Sequence, residues 1–193
     1  MSTPGDSTAC ALDSEPASEP EPSGDLRISI VKEQADWSGF DRPEQAIHAA
    51  AAALASHTQG ARARGTEAGV VLADDAMVRQ LNASYRGKDA ATNVLSFPFQ
   101  APPGGMSDDL PYLGDVVLAA ETIRGEAAER GIAPTAHLQH LVVHGLLHLL
   151  GFDHATDAEA EQMERLEAEV LGTLGIANPY AELPAQSFTL PMG

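Results

Sequence analysis

The sequence predicts an α+β fold: a single domain with a small mixed sheet of about four strands surrounded by helices, and a metal site at the end of a central helix. Three observations predict it. Four short runs rich in β-branched and apolar residues, at 26–32, 67–72, 93–97 and 112–119, are bounded by turn residues. Between and after them, apolar residues recur at the three-to-four spacing of a helix. No internal repeat is visible, and 193 residues suffice for one well-buried domain with tails but not for two ordinary ones.

Taken in order, Leu26-Arg27-Ile28-Ser29-Ile30-Val31-Lys32 reads as a first strand. Pro43 to His57 is an alanine-rich helix with proline at a favoured first position. Glu67 to Leu72 is a second strand, and Asp74 is placed to cap a short helix through Tyr85. The charged turn Arg86-Gly87-Lys88-Asp89 leads to a third strand, Asn93 to Phe97, stopped by Pro98. Residues 100–111, containing Pro102-Pro103-Gly104-Gly105, read as the connector of a hairpin. A fourth strand, Tyr112 to Ala119, is followed by a helix to Arg130. Pro134 then opens a helix carrying Leu138, Leu141, Val142, Leu146 and Leu149 as its apolar residues. A final acidic helix, Thr156 to Leu174, has Met163, Leu166, Val170 and Leu174 as its apolar stripe.

Residues 1–25 differ in kind. They hold six acidic residues, four prolines and no Lys or Arg, too little apolar surface to fold, so a disordered acidic tail is expected there. The folded domain is expected over 26–176, with 177–193 an extended C-terminal tail. The lone cysteine, Cys10, falls in the acidic segment, which removes disulfides and thiolate ligands from the domain. No basic region followed by an apolar core marks a secretory signal, and the longest apolar run, Ala49 to Ala55, is far from membrane-spanning length. A cytoplasmic protein is expected. The net charge of −17 counts against a generic nucleic-acid binder, whose phosphate contacts need Lys and Arg. It leaves room for a nuclease with a small local basic site.

The chemistry is concentrated in the run His144-Gly145-Leu146-Leu147-His148-Leu149-Leu150-Gly151-Phe152-Asp153-His154. Two histidines four apart on a helix point the same way, so His144 and His148 can share a metal ion. Gly151 supplies a left-handed cap that turns His154 back as a third ligand. Three protein ligands leave one tetrahedral position open, which is the pattern of a catalytic zinc site. The same spacing occurs in metzincin proteases, which carry a glutamate base directly after the first histidine. Here that position is Gly145, so proteolysis lacks its base. Met163 belongs to a helical stripe and is a packing residue, not a Met-turn.

A second constellation runs Leu81-Asn82-x-x-Tyr85-Arg86-Gly87-Lys88-Asp89-x-x-Thr92-Asn93-Val94-Leu95-Ser96-Phe97-Pro98-Phe99. With Leu113-Gly114-Asp115 and the histidine run, in matching order over 67–175, it closely resembles the bacterial YbeY family. The resemblance implies a metal-dependent, single-strand-specific endoribonuclease acting in small-subunit rRNA 3′-end maturation and ribosome quality control. Its partners would then be single-stranded RNA, the ribosomal small subunit and assembly proteins, with no DNA and no membrane. It implies His144, His148 and His154 as ligands of one ion, usually Zn²⁺, and Arg86 as the functional arginine facing the same cleft. It also places Asp115 near that cleft. Phe152 departs from the family's usual tyrosine, which removes a hydroxyl but no ligand.

The remaining candidates rest on chemistry and position. A guanidinium at Arg86 can grip phosphate oxygens in two places, although by spacing alone it is equally a solvated turn residue paired with Asp89. Lys88 would add a point-charge contact to phosphate. His137 and His140 share the helical stripe of the ligands; His140 is expected to line the cleft and His137 to be packed or exposed. Asp153 would orient an imidazole from behind or cap the following helix. Ser96 has no base in sequence and is not a nucleophile, and Thr92 and Asn93 are expected to hold the turn before their strand. Two other functions compete: a non-enzymatic ribosome-assembly factor with a stabilising metal, which the acidic surface suits, and a zinc metalloprotease, which Gly145 opposes.

Overall fold

The structure is a computed structural model describing residues 25–100 and 111–181. The expected acidic tail, almost all of the hairpin connector and residues 182–193 lie outside the described residues. Four strands, β1 (Arg27–Lys32), β2 (Glu67–Ala73), β3 (Val94–Pro98) and β4 (Tyr112–Ala119), form one sheet in the order β1-β2-β4-β3. β1 pairs parallel to β2 and β2 to β4, while β3 runs antiparallel to β4. The mixed sheet is the one expected. β3 is an edge strand, which is why Pro98 can close it: a missing N–H is tolerated at an edge.

Five helices, α1 (Pro43–Ser56), α2 (Asp75–Arg86), α3 (Ala120–Arg130), α4 (Pro134–Leu149) and α5 (Asp157–Thr173), complete the α+β domain. Their ends follow chemistry written in the chain. The Asp74 side chain accepts the Met77 N–H at 2.8 Å at the start of α2. Thr156 and Glu159 form a reciprocal capping box at the start of α5.

Strand side chains alternate between faces, and the two faces have different partners. Val70, Leu72, Val116 and Leu118 join the main core with Ile47 and Leu54 of α1, Leu138, Val142 and Leu146 of α4, and Met163, Leu166 and Leu171 of α5. Ala73, Leu95, Val117 and Ala119 face the other way, onto Val78 of α2, with Met77 and Leu81 packed alongside. α4 is therefore central, and its remaining stripe, His137, His140, His144 and His148, turns toward the strip beside β3.

The segment after α5 departs from the expected extended tail. Residues 177–181 fold back on the domain: Arg130 Nη2 donates to the Pro179 carbonyl at 3.0 Å, and the Tyr180 hydroxyl donates to Glu167. Sequence reading missed this because its partners are remote in the chain. No helix among the described residues is long and apolar enough to cross a membrane.

Candidate metal centre and its cleft

α4 sets His144 and His148 one turn apart, with ring centroids 4.6 Å from each other. The helix then ends in a Schellman motif. Phe152 N–H donates to the Leu147 carbonyl at 3.0 Å and Gly151 N–H to the His148 carbonyl at 3.0 Å. Gly151 has φ of 86°, the left-handed conformation glycine adopts without steric cost. The reversal brings the His154 ring to 5.7 Å from His144 and 5.0 Å from His148. One nitrogen from each of the three rings lies within 4.8 Å of the others, a group that could hold a metal ion.

The hydrogen bonds behind the rings test whether a metal fits. His144 Nδ1 meets Glu167 Oε1 at 2.8 Å, and His148 Nδ1 meets the Phe152 carbonyl oxygen at 3.1 Å. Those oxygens only accept, so each Nδ1 carries a proton, and the neutral form of each ring presents its lone pair at Nε2. The two Nε2 atoms stand 3.1 Å apart. In their neutral Nδ1–H forms, two acceptors at that distance have no hydrogen to share and suit a common cation. Two imidazole nitrogens on one tetrahedral zinc would sit about 3.3 Å apart, given Zn–N bonds of about 2.05 Å. Burial, and then the neighbouring His144 and His154, push the His148 imidazole below its ordinary pKa, which favours the neutral, metal-binding form. The donor set fits a borderline-soft divalent ion.

Glu167, which stands directly behind the His144 ring, is the residue of this site that sequence reasoning missed. It is a carboxylate only 1% exposed, and it also accepts from His140 Nε2 at 2.8 Å and from the Tyr180 hydroxyl. Burial alone would raise its pKa; the donors from His140, His144 and Tyr180 outweigh that and hold it at about 2. A signal was available. Glu167 stands four residues after Met163 and four before Leu171, on the apolar stripe of α5, where a charged residue calls for buried partners.

The triad opens into a cleft of about 560 Å³ also lined by Arg86, Thr92, Asn93, Ser96, Pro98, Phe152 and Asp153. Arg86 ends α2 and is exposed. The Asp89 pairing considered for it goes instead to Arg79, at 2.6 and 2.9 Å, and no ion pair engages Arg86 among the described residues. Thr92 and Asn93 line the cleft; Asn93 Nδ2 is held by Glu126 at 2.9 Å. Ser96 Oγ donates to the Gly145 carbonyl at 3.2 Å, a packing contact.

Of the other expected neighbours, Asp115, Lys88 and His140 lie outside this cleft, while Asp153 lines it but plays neither role expected of it. Asp115 is on the other face of the sheet: it shares its side of β4 with Val117, not Val116, and accepts from the Tyr112 hydroxyl at 2.6 Å. Asp153 accepts its neighbour's N–H, from His154, at 2.8 Å; it orients no ring, and Thr156, not Asp153, caps α5. Lys88 is exposed and outside the cleft lining. His140 lines an adjoining cavity of about 360 Å³ and is tied to Glu167, so it stands behind the triad instead of facing the cleft. His137 is packed, 2% exposed, with Nε2 2.7 Å from Glu126.

Gly145 has a packing role. A Cβ there would lie 2.6 Å from Val116 Cγ1 and 3.2 Å from Ser96 Oγ. α4 can rest on β4 only because position 145 has no side chain, so the glutamate of a metzincin has no room in this helix.

Fold and site together define an α+β protein whose three converging histidines could hold a metal ion at the floor of an open cleft. A family model described as Endoribonuclease YbeY matches residues 29–175, and the chain belongs to that family. The Endoribonuclease YbeY of Rhizobium meliloti is 47% identical over 165 residues, covering 82% of this chain and 97% of the relative. That of Azorhizobium caulinodans is 48% identical over 163 residues, covering 83% and 99%. That of Rhodopseudomonas palustris strain BisA53 is 51% identical over 139 residues, covering 72% and 78%. The solution structure of TM1509 from Thermotoga maritima is a distant likeness, at 21% identity and a TM-score of 0.46 over 80% of this chain and 99% of that one.

Proposed function

We propose that this chain is a metal-dependent endoribonuclease of the cytoplasm that cuts single-stranded RNA, acting with the ribosomal small subunit and its assembly proteins in rRNA 3′-end maturation and ribosome quality control. The observation that carries the reading is the meeting, in one cleft, of three converging imidazoles with Arg86, which no ion pair engages among the described residues, in a chain whose relatives are named Endoribonuclease YbeY. His144, His148 and His154 are the metal ligands on this reading, and zinc is the ion their donor set suits. Bound there, the ion would supply Lewis acidity toward a phosphodiester.

The chain's own groups do the rest. Glu167 and the Phe152 carbonyl keep the proton of His144 and His148 on Nδ1, so that both Nε2 atoms face the cleft. Arg86 grips phosphate oxygens and stabilises the charge that builds on them during phosphoryl transfer. No side chain at 145 takes a proton, so the attacking oxygen is not activated from that position. A 2′,3′-cyclic phosphate at the product end would identify a ribose 2′-hydroxyl as nucleophile, whereas a 5′-phosphate paired with a 3′-hydroxyl would identify water.

Arg86→Ala tests the assignment. It should leave metal content unchanged and lower cleavage of a labelled single-stranded RNA by at least about 10²-fold, the usual cost of losing one preorganised charge-stabilising donor. Loss of metal from that variant would make Arg86 structural, and equal cutting of a duplex would contradict single-strand preference.

A further inference from the structure

We propose that Tyr180 is a positioning residue for the metal centre, acting through Glu167 on His144. The inference rests on the metal reading of the triad given above and deepens it.

The Glu167 carboxylate is used at both ends. Oε1 faces His144 Nδ1 at 2.8 Å, while Oε2 accepts from His140 Nε2 at 2.8 Å and from the Tyr180 hydroxyl. Rotating the carboxylate would break both bonds at Oε2, so those two donors fix the direction in which Oε1 points. His140 and His144 both belong to α4, and a carboxylate held from α4 alone would follow any tilt of that helix. Among the described residues, Tyr180 is the one donor that comes from elsewhere. It stands on a turn in which its N–H donates to Asn178 Oδ1 at 2.9 Å, and Arg130 of α3 anchors the preceding Pro179 carbonyl at 3.0 Å. Its ring sits edge-on to His140, centroids 5.7 Å apart, which braces the second donor as well.

Residues 177–181 therefore complete the support of a ligand that lines the same cavity as Tyr180 but is remote from it in the chain. A hydroxyl rather than a bare ring is needed, because a phenylalanine would keep the packing on His140 and leave Oε2 with one donor fewer.

The test is a zinc-affinity cycle on the full chain, using competition with a chromophoric chelator, for wild type, Tyr180→Phe, Glu167→Gln and the double variant. Glu167→Gln should weaken binding within the 10–100-fold range usual for partners that orient a metal-bound histidine, and Tyr180→Phe, one step further removed, by about 3–10-fold. In the Glu167→Gln background Tyr180→Phe should add less than it does in wild type, because the carboxylate it acts through is gone. Imidazole ¹⁵N spectra of the metal-free protein should also show His144 fixed as the Nδ1–H form in wild type and mixed in Tyr180→Phe. An unchanged zinc affinity in Tyr180→Phe, or an equal loss in both backgrounds, would overturn the proposal while leaving the metal centre standing. A wild type that binds zinc no better than His148→Ala would overturn both.

Discussion

Replacing Gly145 by alanine sets two effects of opposite sign against each other. Alanine is the better helix former by about 1 kcal/mol, so an isolated α4 would gain from the change. In the folded chain the added methyl would stand 2.6 Å from Val116 Cγ1 and 3.0 Å from Val116 Cγ2. Carbon atoms ordinarily pack at about 3.5–4.0 Å, so roughly an ångström of overlap must be relieved. Val116 is fully buried and β-branched, with little freedom to turn away. Overpacking of this kind costs about 1–3 kcal/mol, and an overlap with a rigid neighbour belongs at the upper end. The net loss is then about 2 kcal/mol, or a fall of about 4–8 °C in Tm for a chain of this size. Thermal and urea unfolding of Gly145→Ala, Val116→Ala and the double variant would read it. The double variant should lose at least about 1 kcal/mol less than the two single losses added together, since removing the Val116 methyls clears the space. A Gly145→Ala protein as stable as wild type, or more so, would refute the close-packing account of this glycine.

Two further outcomes follow from the same geometry. Thr156→Ala removes one half of the capping box at α5 and should cost about 1 kcal/mol in urea unfolding, with no cost if the box is incidental. Burial pushes the His137 imidazole down more than the Glu126 hydrogen bond lifts it, so its folded pKa lies below the ordinary 6.5. That contribution to stability is fully present above pH 6.5 and is lost as pH falls through the folded pKa. Facing it are Glu126, His140 and Arg130. Wild type should therefore lose stability between pH 7 and pH 5 by up to about 1.4 kcal/mol per pH unit more than His137→Gln; parallel curves would show that His137 titrates alike in both states.

What was legible in the chain was whatever local geometry decides. The triad and Gly151 could be read directly, because helix pitch and a left-handed cap fix where His144, His148 and His154 point whatever surrounds them. The strands and helices were legible for a similar reason: Asp74, Thr156, Pro43 and Pro134 mark their own ends, and the structure moves these boundaries by a residue or so. Asp115 was misplaced because its face depends on which alternate residues of β4 the helices cover, a tertiary choice that the motif Leu113-Gly114-Asp115 does not encode. Arg79 took Asp89 from Arg86 because α2 brings the two to bidentate distance across ten residues. Tyr180 was invisible for the plainest cause: its partners Glu167 and His140 lie on two helices, and a proline-containing C-terminus without helical or strand periodicity reads as tail whenever contacts across the fold are unknown.

The most direct test of the central claim is cleavage of a labelled single-stranded RNA by the full chain and by His148→Ala, each stripped with chelator and then supplied with zinc. Wild type should lose cleavage on stripping and regain it with zinc, while His148→Ala, deprived of one of the three proposed ligands, should bind zinc at least about 100-fold more weakly and stay inactive at zinc levels that restore wild type. Cleavage by stripped wild type at the undiminished rate, or by His148→Ala at the wild-type rate, would contradict it.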